Sequence, residues 1–162
     1  MKFAQKTILI LLLLGFYQKA ASQYITVDDN RTAQDLVENV LINSGCANVS
    51  NISVTGWAFG SGNSYGYFAA GTSGFPFQEG VLLTTGRATS AIGPNTSLLS
   101  EGPTSWPGDP DLEQAINENN TINATVLEFD FVPFANKVSF EYIFSSEQYL
   151  SNPSPNQCNF SD

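Results

Sequence analysis

Two runs toward the C-terminal end of the chain alternate apolar and polar residues with a period of two. In the first run, Leu127, Phe129 and Phe131 are separated by single acidic residues. In the second run, Val138, Phe140, Tyr142 and Phe144 alternate with Ser139, Glu141 and Ser145. Successive side chains of a strand point to opposite faces, so each run has one apolar and one polar face. The alternation predicts two neighbouring strands that form an antiparallel hairpin, with the aromatic face packed on a second layer.

Shorter runs of β-type residues precede this pair, and each is closed by glycine. They lie at 52–55, 65–70 and 81–85. Short strands separated by turn residues are typical of a sandwich or a barrel. The sequence therefore predicts a mainly β fold, an antiparallel β-sandwich of the jelly-roll type. A stretch rich in Gly, Pro, Ser and Asn at 92–110 predicts a long loop, and loops of this length often carry function.

Two segments show helix signals. Apolar residues spaced three and four apart predict an amphipathic N-terminal helix, capped by Thr32 with Asp35 three residues later. Its apolar stripe comprises Ala33, Leu36, Val37, Val40 and Leu41. A second, short helix is predicted to begin at Pro110, because Asp109 is a favoured N-cap and proline fits the first helical position. The predicted buried stripe of this helix comprises Leu112, Ala115 and Ile116.

The N-terminus has the order of regions found in a secretory signal peptide. Lys2 and Lys6 precede an uninterrupted apolar run at 8–14, and small residues follow at 20–22. The apolar run is shorter than the roughly 20 residues that a membrane-spanning helix needs, so no integral span is expected after cleavage. We expect residues 1–22 to be removed and residues 23–162 to form one domain, incomplete at its C-terminal end, that is secreted or held at the cell surface.

The charge of the predicted mature segment limits its partners. Without residues 1–22, three basic residues remain against fifteen acidic ones, a formal charge of −12. Such a surface repels phosphate backbones, so nucleic acid is excluded as a partner class. An extracellular protein or a glycan is the expected partner, and a calcium-dependent contact is compatible with the charge.

Two cysteines, Cys46 and Cys158, lie near opposite ends of the predicted mature segment. In an oxidising compartment they are candidates for one disulfide that closes a long loop. Two free, buried thiols are the alternative, because the sequence does not fix the distance between them.

The chain contains no histidine, which removes the commonest general base and the commonest metal ligand. Any catalysis must therefore come from carboxylates. Glu128 and Asp130 alternate along one run as acids do in jelly-roll glycosidases, but retaining hydrolysis needs a second, correctly placed carboxyl, and the position for a third acid of the set falls at Val132 or Pro133. Solvated acids on the outer face of a strand are the simpler interpretation, so no catalytic residue is predicted.

Calcium is the ion that best matches the residue types present. It takes six to eight oxygen ligands, and Asp109, Asp111 and Glu147 are candidates to supply some of them. The alternative for the two aspartates is a role at the start of a helix, where acids interact favourably with the macrodipole. No other cofactor is expected.

Five stretches of the chain together resemble one protein family. They are 80–86 (GVLLTTG), 93–95 (GPN), 108–112 (GDPDL), 124–133 (ATVLEFDFVP) and 138–149 (VSFEYIFSSEQY). In this order they resemble the choice-of-anchor L domain of bacterial surface proteins. The resemblance implies a secreted or surface protein, often of Bacteroidota, whose full-length form carries a separate anchoring or type IX secretion sorting domain. One departure is Gln148, where the family tends to have a second acid before the tyrosine.

These observations favour a non-enzymatic binding or adhesion module of a larger surface protein, with its long loops as the contact region. A carbohydrate-active enzyme that uses Glu128 and Asp130 is one alternative. A structural spacer domain is the other.

Overall fold

The computed structural model describes residues 24–42, 45, 47–93 and 99–146. Within these residues it contains five strands and several short helical segments. In chain order they are β1 (Thr26–Asp28), α1 (Ala33–Asp35), a π-helical segment (Leu36–Leu41), β2 (Ala47–Thr55), β3 (Tyr65–Ala69), β4 (Glu79–Leu83), a 3₁₀ segment (Ala88–Ile92), α2 (Pro110–Ile116) and β5 (Val126–Pro133). The predicted leader at 1–22, both cysteines and Glu147 lie outside the described residues.

The strands form two antiparallel sheets. One sheet has the order β1-β3-β4, and the other pairs β2 with β5. In the first sheet, Phe68 at the centre of β3 pairs with Val27 on one side and Gly80 on the other. The predicted mainly β, antiparallel architecture is confirmed, and the described residues contain two short α-helices. The amphipathic character of the N-terminal helix stays a prediction. The packing of the two sheets as a jelly-roll sandwich stays a prediction.

The helical segment after β1 begins as an α-helix and continues as a π-helix. Thr32 Oγ1 accepts a hydrogen bond from the Asp35 amide at 3.1 Å, as the capping pattern predicts. The amide of Ile42 then donates to the Val37 carbonyl, five residues back, at 2.9 Å. Because this turn is wider than an α-helical turn, the spacing of four no longer keeps side chains on one face. Val37 is therefore fully buried, whereas Leu41 is 39% exposed.

The pairing of β2 with β5 contains a bulge. Ser50 pairs with Asp130 and Ser53 pairs with Glu128, so β2 carries one residue more than β5 between these pairs. Asn51 lies in the extra stretch with a φ of 51°. This left-handed conformation is tolerated by asparagine more readily than by most residues. The register of the pairing therefore shifts by one residue at the bulge.

The core is assembled around one tryptophan from the long loop. Trp106 is 1% exposed, and its indole Nε1 donates to the Ala124 carbonyl at 2.8 Å. Trp57 stacks on it with ring centroids 6.0 Å apart, and Phe59 meets its edge at 6.1 Å. The other buried apolar residues of the described chain are Leu36, Val37, Phe68, Ala70 and Ala88.

A buried hydroxyl network connects the segments that flank the strands. Ser64 is fully buried, and its Oγ accepts from the Trp57 amide at 3.0 Å. Thr125 Oγ1 lies 2.7 Å from Ser64 Oγ and 2.7 Å from the Thr84 carbonyl. One hydroxyl proton cannot serve two acceptors, so Ser64 donates to Thr125 and Thr125 donates to Thr84. The network joins the start of β5 to the start of β3 and the end of β4.

The structure corrects the predicted hairpin. Instead of pairing with the run at 138–144, β5 pairs with β2, and residues 138–144 form no strand in the described chain. Alternation identifies a segment that can form a strand, but it does not choose the partner of that strand. The apolar side chains of the second run are consequently exposed.

The predicted buried stripe of α2 is also wrong. The helix buries no residue, and Leu112 and Ile116 are 47% and 50% exposed. Its ends are held by local contacts: Asp109 Oδ1 accepts from the Leu112 amide at 2.7 Å, and Asn117 closes the helix with a φ of 56°. The capping signals were sufficient to form this helix without a packed face. In the described part of the chain, no helix is long and apolar enough to cross a membrane.

Candidate functional site

The longest run of exposed apolar side chains in the described residues lies between residues 131 and 144. Its members are Phe131, Val132, Phe134, Val138, Phe140, Tyr142, Ile143 and Phe144, and we call them the 131–144 surface. Tyr142 is 84% exposed, Phe134 65% and Phe144 62%. Large apolar surfaces of this kind usually mark an interaction site on a soluble protein. The 131–144 surface is therefore the candidate contact region.

A rigid strand holds the N-terminal end of this surface. β5 pairs with β2 along most of its length, and Asp130 Oδ2 accepts a hydrogen bond of 2.6 Å from Asn51 Nδ2. The rings of Phe129 and Phe131 lie 6.0 Å apart on the other face of the strand. Among the described strands, only β2 borders β5, and no described strand pairs with the second edge of β5. Residues 134–144 follow directly from this strand.

Lys137 lies within the 131–144 range and is exposed. It forms no ion pair in the described part of the chain, whereas Arg31 contacts Asp28 at 3.3 Å and Asp35 at 3.2 Å. Arg31 also stacks over the ring of Tyr67, with its Cζ 3.9 Å from the centroid. Arg31 is therefore engaged in contacts within the chain, whereas Lys137 is exposed next to apolar side chains in the sequence.

Tyr67 and Glu79 form a polar contact next to Arg31. The Tyr67 hydroxyl donates to Glu79 Oε2 at 2.5 Å across the β3–β4 pair. This hydrogen bond, together with burial and the negative charge of Glu79, raises the pKa of Tyr67 above its ordinary value of 10.0, and Arg31 partly opposes the shift. The site is a structural contact on the sheet surface. The sequence pattern of β3 does not predict this contact, because Glu79 belongs to another strand, β4.

Glu128 and Asp130, the candidate acids of the glycosidase alternative, are both exposed on β5. Their pairing partners on β2 are Ser53 and Ser50, so no acid stands opposite them in the described sheet. Asp130 is already bound to Asn51. Glycosidases need two carboxyl groups held on either side of the scissile bond. The geometry of β5 gives these two acids a surface position and does not form such a pair around a cleft.

Of the calcium candidates, Asp109 and Asp111 fall within the described chain. Asp109 caps α2 through Oδ1, and its own amide donates to Thr121 Oγ1 at 3.2 Å. Asp111 is an exposed acid in the first turn of α2. The described residues contain no group of three or more His, Cys, Asp or Glu side chains that could hold a metal ion. Helix capping therefore accounts for the observed contacts of Asp109, and calcium binding stays a prediction.

The loop predicted as a contact region is tied to the body of the protein where it is described. Glu101 Oε2 accepts from the Arg87 amide at 2.8 Å, and Glu101 Oε1 accepts from Ser90 Oγ at 2.9 Å. Asn123 Nδ2 donates to the Pro103 carbonyl at 3.0 Å, and Trp106 fills the core. The sequence analysis did not predict that Glu101 anchors the loop or that Trp106 enters the core, although a tryptophan within a polar loop is a signal that the loop is anchored. The described part of this loop contributes to stability.

Comparison with known proteins identifies one family. The family model described as Choice-of-anchor L domain matches residues 25–162. No curated protein and no solved structure matches the chain. The family match covers nearly the whole chain and includes β5 and the 131–144 surface.

Proposed function

The chain belongs to the choice-of-anchor L domain family, and we propose that it is a non-enzymatic binding module, displayed outside the cell, that holds its partner through the 131–144 surface. Membership in this family indicates a cell-surface protein module, and the family is not a family of enzymes. Secretion through removal of residues 1–22 is part of the proposal. So is the adhesive role, which goes beyond what membership in the family states.

The observation that carries the proposal is the exposure of the aromatic residues in this surface. Phe134, Phe140, Tyr142 and Phe144 are each more than half exposed. Aromatic side chains dominate the central contacts of protein interfaces, because they exclude a large area from water while losing few rotamers. Such an area is costly to leave in water, and a partner that covers it gains the hydrophobic free energy.

The chemistry of the surface favours a protein over a glycan as the partner. Its members are four phenylalanines, two valines, an isoleucine and one tyrosine, so the tyrosine hydroxyl is the only polar group among these side chains. Glycans need several hydrogen bonds for orientation, whereas protein interfaces have an apolar centre and a polar rim. Lys137 and Glu141 supply the charged groups beside it.

The proposal is tested by the binding of the fluorescently labelled chain to cells. Two kinds of cell are compared: cells of the producing strain that display the chain, and cells from which its gene has been deleted. We expect the wild-type chain to bind the displaying cells, and the double variant Phe140→Ser, Tyr142→Ser to bind at least tenfold less. Leu112→Ser is the matched control, because Leu112 is also exposed and apolar but lies on α2.

Equal binding by the double variant and the wild type would refute the role of the 131–144 surface. Absence of binding to both kinds of cell would refute the binding function and leave the structural spacer as the better description. Binding to both kinds of cell would support the function while showing that the partner is a different molecule.

A further inference from the structure

We infer that Lys137 is a processing site: an extracellular protease specific for basic residues cuts the folded chain between Lys137 and Val138 and thereby inactivates the 131–144 surface. The inference rests on the proposed function, because it assigns a regulatory step to the same surface. It goes further by naming the bond that is cut and the class of enzyme that cuts it.

Three basic residues lie in the described part of the chain, and they differ in how they are held. They are Arg31, Arg87 and Lys137. Proteases of trypsin-like specificity bind a basic side chain in a pocket with an acidic residue and cut the bond that follows it. They cut folded proteins at exposed segments whose backbone opens locally. Local structure therefore decides which of the three residues such a protease can use.

The segment around Lys137 meets these requirements. Residues 134–145 are all exposed, and residues 134–136 form bends that lead out of β5. In the described part of the chain, no hydrogen bond joins residues 134–145 to another residue. Segments with few buried contacts and no paired backbone open at little cost in free energy. The bond between Lys137 and Val138 is therefore available without unfolding of the rest of the chain.

Arg87 is protected by contacts on both sides of its bond to Ala88. The Arg87 amide donates to Glu101 Oε2 at 2.8 Å, and its guanidinium donates to the Phe59 carbonyl at 3.3 Å. Ala88, which follows the bond, is fully buried, and its amide donates to the Asn63 carbonyl at 2.9 Å. A protease reaches this bond only when part of the core opens.

Arg31 is held at the start of the first helical segment. Its guanidinium contacts Asp28 and Asp35 and stacks over the ring of Tyr67, and its side chain is 31% exposed. Thr32, which follows the bond, caps α1 through the Asp35 amide. Binding of Arg31 in the pocket of a protease breaks two ion pairs, a cation–π contact and the helix cap together. Of the three basic residues, Lys137 alone has no such contacts in the described chain.

The cut divides the 131–144 surface. Phe131, Val132 and Phe134 stay with β5, whereas the other five members of the surface belong to residues 138–162. No hydrogen bond to the rest of the described chain holds residues 138–145 in place after the cut. The buried core of the described chain, including Trp106, lies entirely before the cut. Cleavage therefore removes most of the contact region and leaves the core complete.

The step is a hydrolysis that needs only water and the protease. The bond between the Lys137 carbonyl carbon and the Val138 nitrogen breaks, and a bond forms between that carbon and the oxygen of water. The carbon becomes a carboxylate. Both protons of the water end on the nitrogen, which becomes an ammonium group. No oxidant or reductant takes part.

Limited proteolysis of the folded chain with trypsin tests the site. We expect a new N-terminus at Val138, formed at least ten times faster than a cut at either of the other two described sites. The products are reduced before electrophoresis, so that the candidate disulfide between Cys46 and Cys158 cannot hold them together, and mass spectrometry identifies their ends. Equal rates at the three sites, or a faster cut at one of the arginines, would overturn the inference.

Variants separate this site from general accessibility. Lys137→Gln should slow the cut at least tenfold, and Lys137→Arg, which keeps the positive charge, should be cut within about threefold of the wild-type rate. Ser53→Lys in the Lys137→Gln background is the matched control, because position 53 is exposed but pairs with Glu128 between β2 and β5. Position 53 should stay uncut.

Circular dichroism of each variant verifies that the fold is intact. A cut at position 53 that is as fast as the wild-type cut would show that exposure alone decides the site, and would overturn the inference. Resistance of Lys137→Arg would overturn it as well.

The binding of cut and intact chains to cells tests the regulatory step. After treatment with trypsin and inhibition of the protease, the wild-type chain should bind the displaying cells at least tenfold less than before treatment. Lys137→Gln should bind equally before and after the same treatment. A cut wild-type chain that binds as well as the intact chain would overturn the regulatory step.

The two measurements separate failure of this inference from failure of the proposed function. An intact chain that binds neither kind of cell refutes the proposed function, whatever the rate of the cut. A chain that binds cells but resists cleavage at Lys137 retains the function and loses the processing site.

Discussion

Asn51 Nδ2 donates a hydrogen bond of 2.6 Å to Asp130 Oδ2, across the point where β2 carries one residue more than β5. The two residues are 79 positions apart in the sequence. Their contact fixes the register of the strand that continues into Phe131 and Val132. The 131–144 surface thus begins on a strand that is held in place at its bulge.

The contact between Asn51 and Asp130 should stabilise the sheet measurably. Asn51→Gly keeps a residue that accepts the positive φ but removes the hydrogen bond, and should lower the free energy of unfolding by about 1 kcal/mol. Asn51→Val also places a β-branched residue at positive φ, and should cost about 1–2 kcal/mol more. Urea unfolding measures both. Asn48→Ala on the same strand should change little, and equal midpoints for all four proteins would show that the contact contributes nothing.

Trp106 should be the most costly single position in the described core. Trp106→Ala removes a fully buried indole and its stacking contacts, and should destabilise the fold by about 3–5 kcal/mol. Trp106→Phe keeps most of the ring but leaves the Ala124 carbonyl without its donor, which should cost about 1–3 kcal/mol. Thermal unfolding gives the order of stabilities. Ile122→Ala, at an exposed position, is the control, and a Trp106→Ala midpoint equal to that control would contradict the role of Trp106 in the core.

Local features of this fold can be predicted from the sequence, whereas its long-range contacts cannot. The caps at Thr32 and Asp109 were predicted, because a cap depends on residues within one turn of the chain. The pairing of β2 with β5 was not, because the alternation around Phe129 defines a face without naming the neighbour. The Gly- and Pro-rich surroundings of Trp106 predict a loop, and only the tertiary structure shows its ring in contact with Trp57 and Phe59.

The second aromatic run shows the same limit of the sequence. The aromatic residues from Val138 to Phe144 were expected in the core, since alternating aromatic residues usually are. In the structure β2 borders β5, and no described strand covers the second run. The loop that is expected to make contacts is attached to the body of the protein, where it is described, through Glu101 and Trp106.

Stability should decrease at alkaline pH in part through Tyr67. Its pKa is raised in the folded chain above the ordinary value of 10.0, so unfolding releases a proton in this range. The contribution of the hydrogen bond to Glu79 is complete below that ordinary value and is lost as the pH rises through the folded pKa. Tyr67→Phe should flatten the decline in midpoint above pH 10. Identical slopes for wild type and Tyr67→Phe would rule out this contribution.

Calcium binding through Asp109, Asp111 and Glu147 has a direct test in thermal unfolding. An ion bound only by the folded chain at 100 times its dissociation constant stabilises by about 2.7 kcal/mol. If these residues bind calcium, the midpoint should rise on its addition and return with chelator, and Asp111→Asn should reduce the rise. Glu118→Gln should not. A midpoint that is insensitive to both calcium and chelator would remove the proposed site.

Hydrogen exchange of the backbone amides at 134–144 tests most directly whether this segment is exposed in the free chain, as its role in the contact region requires. We expect fast exchange at 134–144, because this segment pairs with none of the described strands. The amides of β3, at the centre of its sheet, should exchange slowly. Protection of 134–144 equal to that of β3 would contradict the exposure on which the proposed contact region rests.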